Sequence, residues 1–375
     1  MSANNVQKHL YYDLSVVNTS NDLLPLSFKE DRSMSFIKNA SEWYMTPIKF
    51  QIDTAGTAPL MIPLIDFSPS NTNVNKTAYT FTMTYMVGST EIINQENVIY
   101  VPENKNVNPP PYVSVNYAES EYYFIMSFQT FVNSLNVCLT NCWNNLKTKV
   151  IAAGGVMPGA APNIYFDFDV LNCLPNLCAD VLQYNDTDPT KIKVYCNTKL
   201  HPLLSSLQFN TYPVNAADGK EAQIRIYPMP NNSNIIQFDS YNALVSYSAY
   251  SVAGLWTIIS SIVITTQIIP TCNTLVSPTK LAGSSLSSTL SGNPQISQVI
   301  DFDCQNGYDI VSGGSVSYIA NGQYRLIDLV NESPLSSVDL QFFYKTKFGK
   351  LIPMKLHPTA HASILLMFRH KSLGI

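Results

Sequence analysis

Charged side chains are scarce in this sequence. Asp, Glu, Lys and Arg make up 13% of its 375 residues, about half the share usual in a soluble domain. A monomer bathed by water on every side carries far more charge on its surface, so the scarcity argues against an isolated, fully solvated protein. Hydrophobic residues reach 46%, enough for a globular core, and Asn, Ser, Thr and Tyr stand where charge would be. Two conditions fit such a surface: burial against neighbouring subunits, or secretion under a coat of glycans. The net charge of −4 excludes a general attraction to nucleic acid or acidic membranes. The scarcity is also uneven. Between Arg225 and Lys280 only Asp239 is charged, and no acid follows Asp339, while Lys345, Lys347, Lys350, Lys355, Arg369 and Lys371 do.

Other absences narrow the class. The opening MSANNVQKHLYYDL has no basic segment followed by an apolar core, so no secretory signal is read here. The seven cysteines, Cys138, Cys142, Cys173, Cys178, Cys196, Cys272 and Cys304, are odd in number and irregular in spacing, which argues against a disulfide framework. A reducing, intracellular site of synthesis follows. The sequons at Asn18, Asn39, Asn75, Asn185, Asn231 and Asn331 are then accidents of composition. There is no Gly-rich phosphate loop and no nucleophile in a recognisable elbow, so neither an enzyme nor a cofactor is expected. The uncharged run Ser251 to Pro270 carries Ser260, Ser261, Thr265, Thr266 and Gln267 and is rich in β-branched residues, so it reads as two buried strands rather than a membrane span.

What is present alternates with a period of two. In Thr77 to Val87, Tyr79, Phe81, Met83, Tyr85 and Val87 point one way and Thr80, Thr82 and Thr84 the other, a strand with one packed and one hydroxylated face. Ile48–Asp53, Ile164–Val170, Ile192–Cys196, Ile224–Tyr227 and Val338–Tyr344 follow the same pattern, and Ala362 to Phe368 suits a strand buried on both faces. Proline- and Asn-rich loops, Val101 to Tyr112 and Ser277 to Pro294, punctuate them. One helix stands out over 121–149, with Phe124, Phe128, Val132, Leu135, Leu139, Cys142 and Leu146 at helical spacing and Ser120 as its cap.

Four groups could carry chemistry. Asp167 with Asp169, and Asp301 with Asp303, are D-x-D pairs whose carboxylates share a strand face and could hold a hard cation; without a third acid at loop spacing, a solvated strand face is the simpler role. Cys138 with Cys142 and Cys173 with Cys178 lack the paired spacing of a zinc site and suit core packing. His357 and His361 would need a helix to share a metal, and the run after them reads as strand. Finally, Lys345, Lys347 and Lys350 flank a turn at Gly349. Phosphate binding is one use for clustered lysines; protection of a strand edge is the plainer one.

Several segments together resemble the penton (minor capsid) proteins of virophages and of Polinton- and adinto-type viruses. Tyr324 to Lys371 is similar to the ending of that family: an S-P-L…V-D passage, an aromatic strand, a Lys-Phe-Gly turn, a Pro-bearing return and a final apolar strand closing on basic residues. EYYFIMSFQTFVNSLNVCLTN, APNIYFDFD and IKVYCNTKLHPLLSSLQF resemble its middle, WTIISSIVITTQIIP with ISQVIDFD its later strands, and MSFIKNASEWYMTPIKFQIDTAGTAPLMIPLID its opening. The motifs are individually weak; their order along the chain carries the resemblance. It implies a mainly β protein with a single jelly roll (an eight-stranded β-sandwich), an inserted α+β region holding one amphipathic helix, and a homopentamer set in a lattice of a double-jelly-roll major capsid protein. On this reading residues 1–33 form an N-terminal arm, 34–88 and 230–375 the jelly roll, and 89–229 the insertion. The expected partners are further copies of the chain, the major capsid protein and a host receptor, with contact to the genome disfavoured, no membrane span, and the virion as location. Lys345, Lys347, Lys350, Arg369 and Lys371 are the candidate contacts to a capsomer or to genome. A β-sandwich attachment or glycan-binding protein, suggested by the Tyr-rich run Tyr241–Tyr250, is the alternative.

Overall fold

The structure is a computed structural model that describes residues 8–54, 57, 64–66, 68, 71–103, 105–110, 120–211, 219–238, 240–271, 280–282, 285–287, 298–303, 314–320, 325–347 and 350–373. The protein is mainly β. It divides into two compact units, Met1–Ala58 with Ile258–Ile375, and Pro59–Thr257.

The chain begins the first unit with β1 (His9–Val17), β2 (Leu24–Pro25), β3 (Ser27–Asp31) and β4 (Trp43–Asp53). The second unit contributes β5 (Lys76–Val87), β6 (Thr90–Ile99), α1 (Phe128–Ala152), β7 (Ile164–Asp169), β8 (Leu174–Asp180), β9 (Lys193–Cys196), β10 (Phe209–Thr211), β11 (Ala222–Ile224), β12 (Ile235–Gln237), β13 (Asn242–Ser246) and α2 (Ala253–Trp256). The first unit resumes with β14 (Ile259–Thr265), β15 (Lys280–Ala282), β16 (Ser285–Ser287), β17 (Gln298–Asp303), β18 (Ser315–Ile319), β19 (Ile327–Asp328), β20 (Ser337–Thr346), β21 (Leu351–Pro353), β22 (Lys355–Leu356) and β23 (His361–His370).

In the first unit one sheet runs β1-β23-β4-β18 and the other β17-β14-β20, with β3 and β21 both on the far side of β20. Every ladder is antiparallel. Alternation in β20 turns Val338, Leu340, Phe342 and Tyr344 inward, and all are buried. Phe342 meets Phe28 of β3 at 5.6 Å and Phe50 of the other sheet at 6.2 Å, so the two inner faces interlock. β1 and β3 belong to these sheets although residues 1–33 read in sequence as an arm outside them; the partners that make them strands, β23 and β20, lie at the other end of the chain.

The second unit holds the sheets β10-β11-β9-β5-β6 and β12-β13-β8-β7, and α1 packs on both. Gly88, at φ +60, makes the two-residue turn that joins β5 to β6, a backbone region glycine enters without strain. The hydroxylated face of β5 is itself buried: Thr82 is 0% exposed. Gln95 Nε2 donates to Thr80 Oγ1 (3.1 Å), and the backbone at Gly219 lies close over Thr82 Oγ1. Thr80 is thus bonded, and Thr82 covered, inside the subunit.

The helix begins at Phe128, capped by Ser127 Oγ accepting from Thr130 N, while Ser120 caps a separate 3-10 turn, Glu121–Tyr123. The delay has a physical cause. The Tyr100 hydroxyl reaches the carbonyls of Tyr122 (2.6 Å) and Phe124 (3.1 Å), and Tyr123 OH donates to Val74 O (3.0 Å). These bonds hold residues 122–124 out of an α-helical path. Ser251–Pro270 likewise forms one strand, β14, after the helical turn α2, rather than two strands. Trp256 fixes that turn: it is buried among Phe128, Phe131 and Phe168, with Nε1 donating to Leu203 O (2.7 Å). Among the described residues no helix is long and apolar enough to cross a membrane.

Candidate assembly surface

The basic segment after Asp339 splits between two places. Lys345 is the penultimate residue of β20, and Lys347 and Lys350 are exposed in the connection to β21. The loop is held from both sides. Thr346 N donates to Lys350 O (2.8 Å) and Lys350 N to Thr346 Oγ1 (3.1 Å). Lys347 N donates to Ile258 O (2.8 Å), and Ser260 Oγ to Lys345 O (3.0 Å). Partial removal from water lowers the Lys347 pKa, because desolvation disfavours the ammonium. Phe348 and Gly349, which the sequence places at the turn, lie outside the described residues. The result is a rigid base carrying three lysines at the end of one sheet.

Arg369 and Lys371 belong to the other sheet, where Arg369 on β23 is flanked by His9 and Tyr44. Lys371 turns inward: its Nζ donates to Ser41 O (2.5 Å) and Leu329 O (3.3 Å), pairs with Asp328, and lies 5.2 Å from the centre of the Tyr44 ring. It ties the end of β23 to three neighbouring segments. The candidate lysines thus include one surface group on a hairpin and one internal clamp.

Asp339, the last acid, is buried. Its Oδ1 accepts from Thr266 Oγ1 (2.6 Å) and Ile268 N (2.8 Å), and its Oδ2 from Gln267 N (3.0 Å). A carboxylate that gathers backbone N–H groups this way organises a turn, here the one that follows β14.

The other candidates read as structure. Asp167 and Asp169 share a face of β7, with Ile164, Phe166 and Phe168 on the buried side. Asp169 accepts from Asn172 Nδ2 (2.6 Å), Asn172 N (3.2 Å) and Leu171 N (3.0 Å), and the Asn172 side chain and backbone bonds lower its pKa. It is a turn former. Asp301 and Asp303 lie opposite Val263 and Ser261 across the β14 ladder. Cys138, Cys142, Cys173, Cys178 and Cys196 are buried free thiols, with Cys272 and Cys304 outside the described residues. Burial pushes the Cys142 and Cys173 thiols up to about 12, which removes nucleophilic character. Cys142 Sγ instead reaches Asn94 O (3.3 Å), holding α1 to β6. His357 starts a turn, with Ala360 N donating to its carbonyl (3.0 Å), and His361 opens β23. Among the described residues no cluster of His, Cys, Asp and Glu could hold a metal.

Sequence reasoning missed the outer edges of the sheets. HLYYDLSVV carries the signal in its alternation: Tyr12 and Leu14 are buried and Tyr11, Asp13 and Ser15 exposed. Large apolar side chains also stand in solvent, among them Met34 at 80% and Leu171 at 80% exposure.

A family model for the Sputnik minor capsid protein V18/19 matches residues 10–370. An uncharacterized protein V18 of Sputnik virophage is 30% identical over 145 residues, 38% of this chain and 86% of that protein. A chain from the cryo-EM structure of the Sputnik virophage superposes with a TM-score of 0.80 at 23% identity, over 99% of this chain and 100% of that one. The crystal structure of the mavirus penton protein gives a TM-score of 0.60 at 13% identity, over 97% and 100%. The two structures speak to the fold.

Proposed function

Because the chain belongs to the Sputnik minor capsid protein V18/19 family, we propose that it is the penton of a virophage-type shell, a homopentamer at the fivefold vertex that docks onto a double-jelly-roll major capsid protein. The carrying observation is strand order. Taking β1, β3, β4, β14, β17, β18, β20 and β23 as strands 1 to 8, the sheets read 1-8-3-6 and 2-7-4-5. That is the order two Greek keys give in an eight-stranded jelly roll. The second unit, Pro59–Thr257, then enters between the third and fourth strands as the inserted α+β region. The scarcity of charge supports a ring, since contacts between copies replace water over much of the surface.

In this reading Lys345, Lys347 and Lys350 meet acidic groups of a neighbouring capsomer. Charge at such a rim sets the rate and register of docking more than its strength. Lys371 holds the end of the last strand in place, and Arg369 on that strand is a further candidate contact to a capsomer. The protein acts in the virion and carries out no reaction. A second surface, for sugars of a host receptor, is suggested by the exposed Tyr247 and Tyr250, of which Tyr247 lines a pocket with Arg225, whose guanidinium stacks on Tyr227 at 4.4 Å; a glycan array with the pentamer tests it.

Mass photometry of the purified chain tests the ring, with a fivefold mass expected and a monomer at micromolar concentration overturning it. Co-expression with the major capsid protein tests docking. Exchange of the three hairpin lysines for Glu is expected to leave the pentamer intact and to slow its incorporation into shells at least tenfold; unchanged incorporation would remove the hairpin from the interface.

A further inference from the structure

β1 and β3 are end strands of their sheets, and a groove runs between them. Its two chambers, ≈ 440 and ≈ 330 Å³, share Val16 and Ser27 in their walls.

Register fixes which backbone groups point outward along each edge. His370 N donates to Lys8 O and Asn18 N to Ala360 O, both at 3.0 Å, with no shift in the ladder between them. Antiparallel pairs alternate between bonded and unbonded. The even residues of β1 therefore bond to β23, and His9, Tyr11, Asp13, Ser15 and Val17 turn their N–H and C=O outward. On β3 the bonds Arg32 N to Ser336 O (3.0 Å) and Phe342 N to Leu26 O (3.3 Å) turn Ser27, Lys29 and Asp31 outward.

The two edges differ in how they are guarded. β3 is 5 residues long and carries the ion pairs Lys29–Asp31 (3.8 Å) and Arg32–Glu30 (3.0 Å) along it, and charge on a short edge repels stray strands. β1 is 9 residues long with one carboxylate, Asp13, no lysine, no proline and no bulge. Its Tyr11 is 59% exposed. Among the described residues no strand pairs with its outer side.

The opposite end of the same sheet is matched to it. β18, Ser315–Ile319, is also an end strand, has no charge, and exposes Ile319 at 67%. The bonds Thr54 N to Gly314 O and Ala320 N to Ile48 O, both 2.9 Å, leave Ser315, Ser317 and Ile319 with outward backbone groups. Because the ladders β1–β23, β23–β4 and β4–β18 are all antiparallel, β1 and β18 run in opposite directions. A copy rotated about an axis along the strands offers its β18 antiparallel to β1, and such a head-to-tail contact closes into a ring when the rotation fits.

We propose that the outer edge of β1 takes up β18 of a second copy of this chain, so that the sheet continues from subunit to subunit around the ring; this rests on the pentamer proposed above. Ser15→Pro and Ser317→Pro each delete an outward N–H and leave the ladder inside the subunit in place. Both variants are expected to keep the wild-type circular dichroism and to lose at least nine-tenths of the oligomer by mass photometry. Wild-type oligomer content in both overturns the edge contact while the ring stands; a wild type that is itself monomeric brings down both. Should the proline variants fail to fold, hydrogen exchange resolved by residue on the wild-type chain decides. Assembly is expected to slow exchange at Tyr11, Asp13 and Ser15 at least tenfold, and equal rates in monomer and oligomer overturn the proposal.

Discussion

The two units meet the same hazard, an open strand edge, in different ways. In the second unit the end strand β7 is closed from within. Asn136 of α1 lies beside it, its Nδ2 donating to Phe166 O (3.0 Å) and its Oδ1 accepting from Phe166 N (2.6 Å). One side-chain amide thus copies the bond pair of a neighbouring strand. In the first unit β1 has no such cover among the described residues, and its edge is left for another copy. A strand edge can be satisfied within the subunit or left to the assembly, and β7 and β1 stand for the two.

If the second unit is self-contained, its interior should be costly to disturb. Trp256→Ala empties the site among Phe128, Phe131 and Phe168, with an expected loss of about 3–5 kcal/mol in denaturant unfolding followed by Trp143 fluorescence in a Trp43→Phe background. A loss below about 1 kcal/mol would mean that this region does not stand by itself. Asn136→Leu attacks the internal cover. It leaves the Phe166 N–H and C=O without their amide, about 2 kcal/mol, and is expected to aggregate with rising concentration by light scattering; a monodisperse variant would break the contrast with β1. In the first unit, Asp339→Asn weakens the turn at 266–269, about 1–2 kcal/mol by thermal unfolding, without opening either edge. The smallest effect belongs to Asp169. Its folded pKa is lowered, so its contribution is present above its unfolded pKa and fades as pH falls through the folded one. The stability difference between the wild type and Asp169→Asn is expected to be constant near neutral pH and to vanish in acid.

Sequence periodicity was informative where burial is local. The alternation of Val338–Tyr344 and Ile164–Asp169 became strands with the expected faces inward, and the helical spacing of Phe128 to Leu146 became the buried side of α1. It was less informative where a distant residue decides. Nothing near Tyr122 announces that the Tyr100 hydroxyl will hold it out of the helix, and nothing in the Thr face of β5 announces that Gln95 will cover it. The lysine cluster was visible, but its division was not, because Lys371 finds Ser41 and Leu329 only after folding. The free edge of β1 was hidden for the same reason. An edge is a property of the whole sheet, and the strand that makes β1 one is β23.

That pairing bears on how the chain is born. β23 lies between β1 and β4, yet it leaves the ribosome after both. Until it appears, β1 and β4 have a vacant lane between them, while the uninterrupted second unit has already been synthesised. Non-local pairing of this kind is slow and leaves hydrophobic strands uncovered meanwhile. The sheet edge that would greet a second copy therefore exists only once β23 has been made, after the whole second unit, so translation itself delays premature joining of nascent chains.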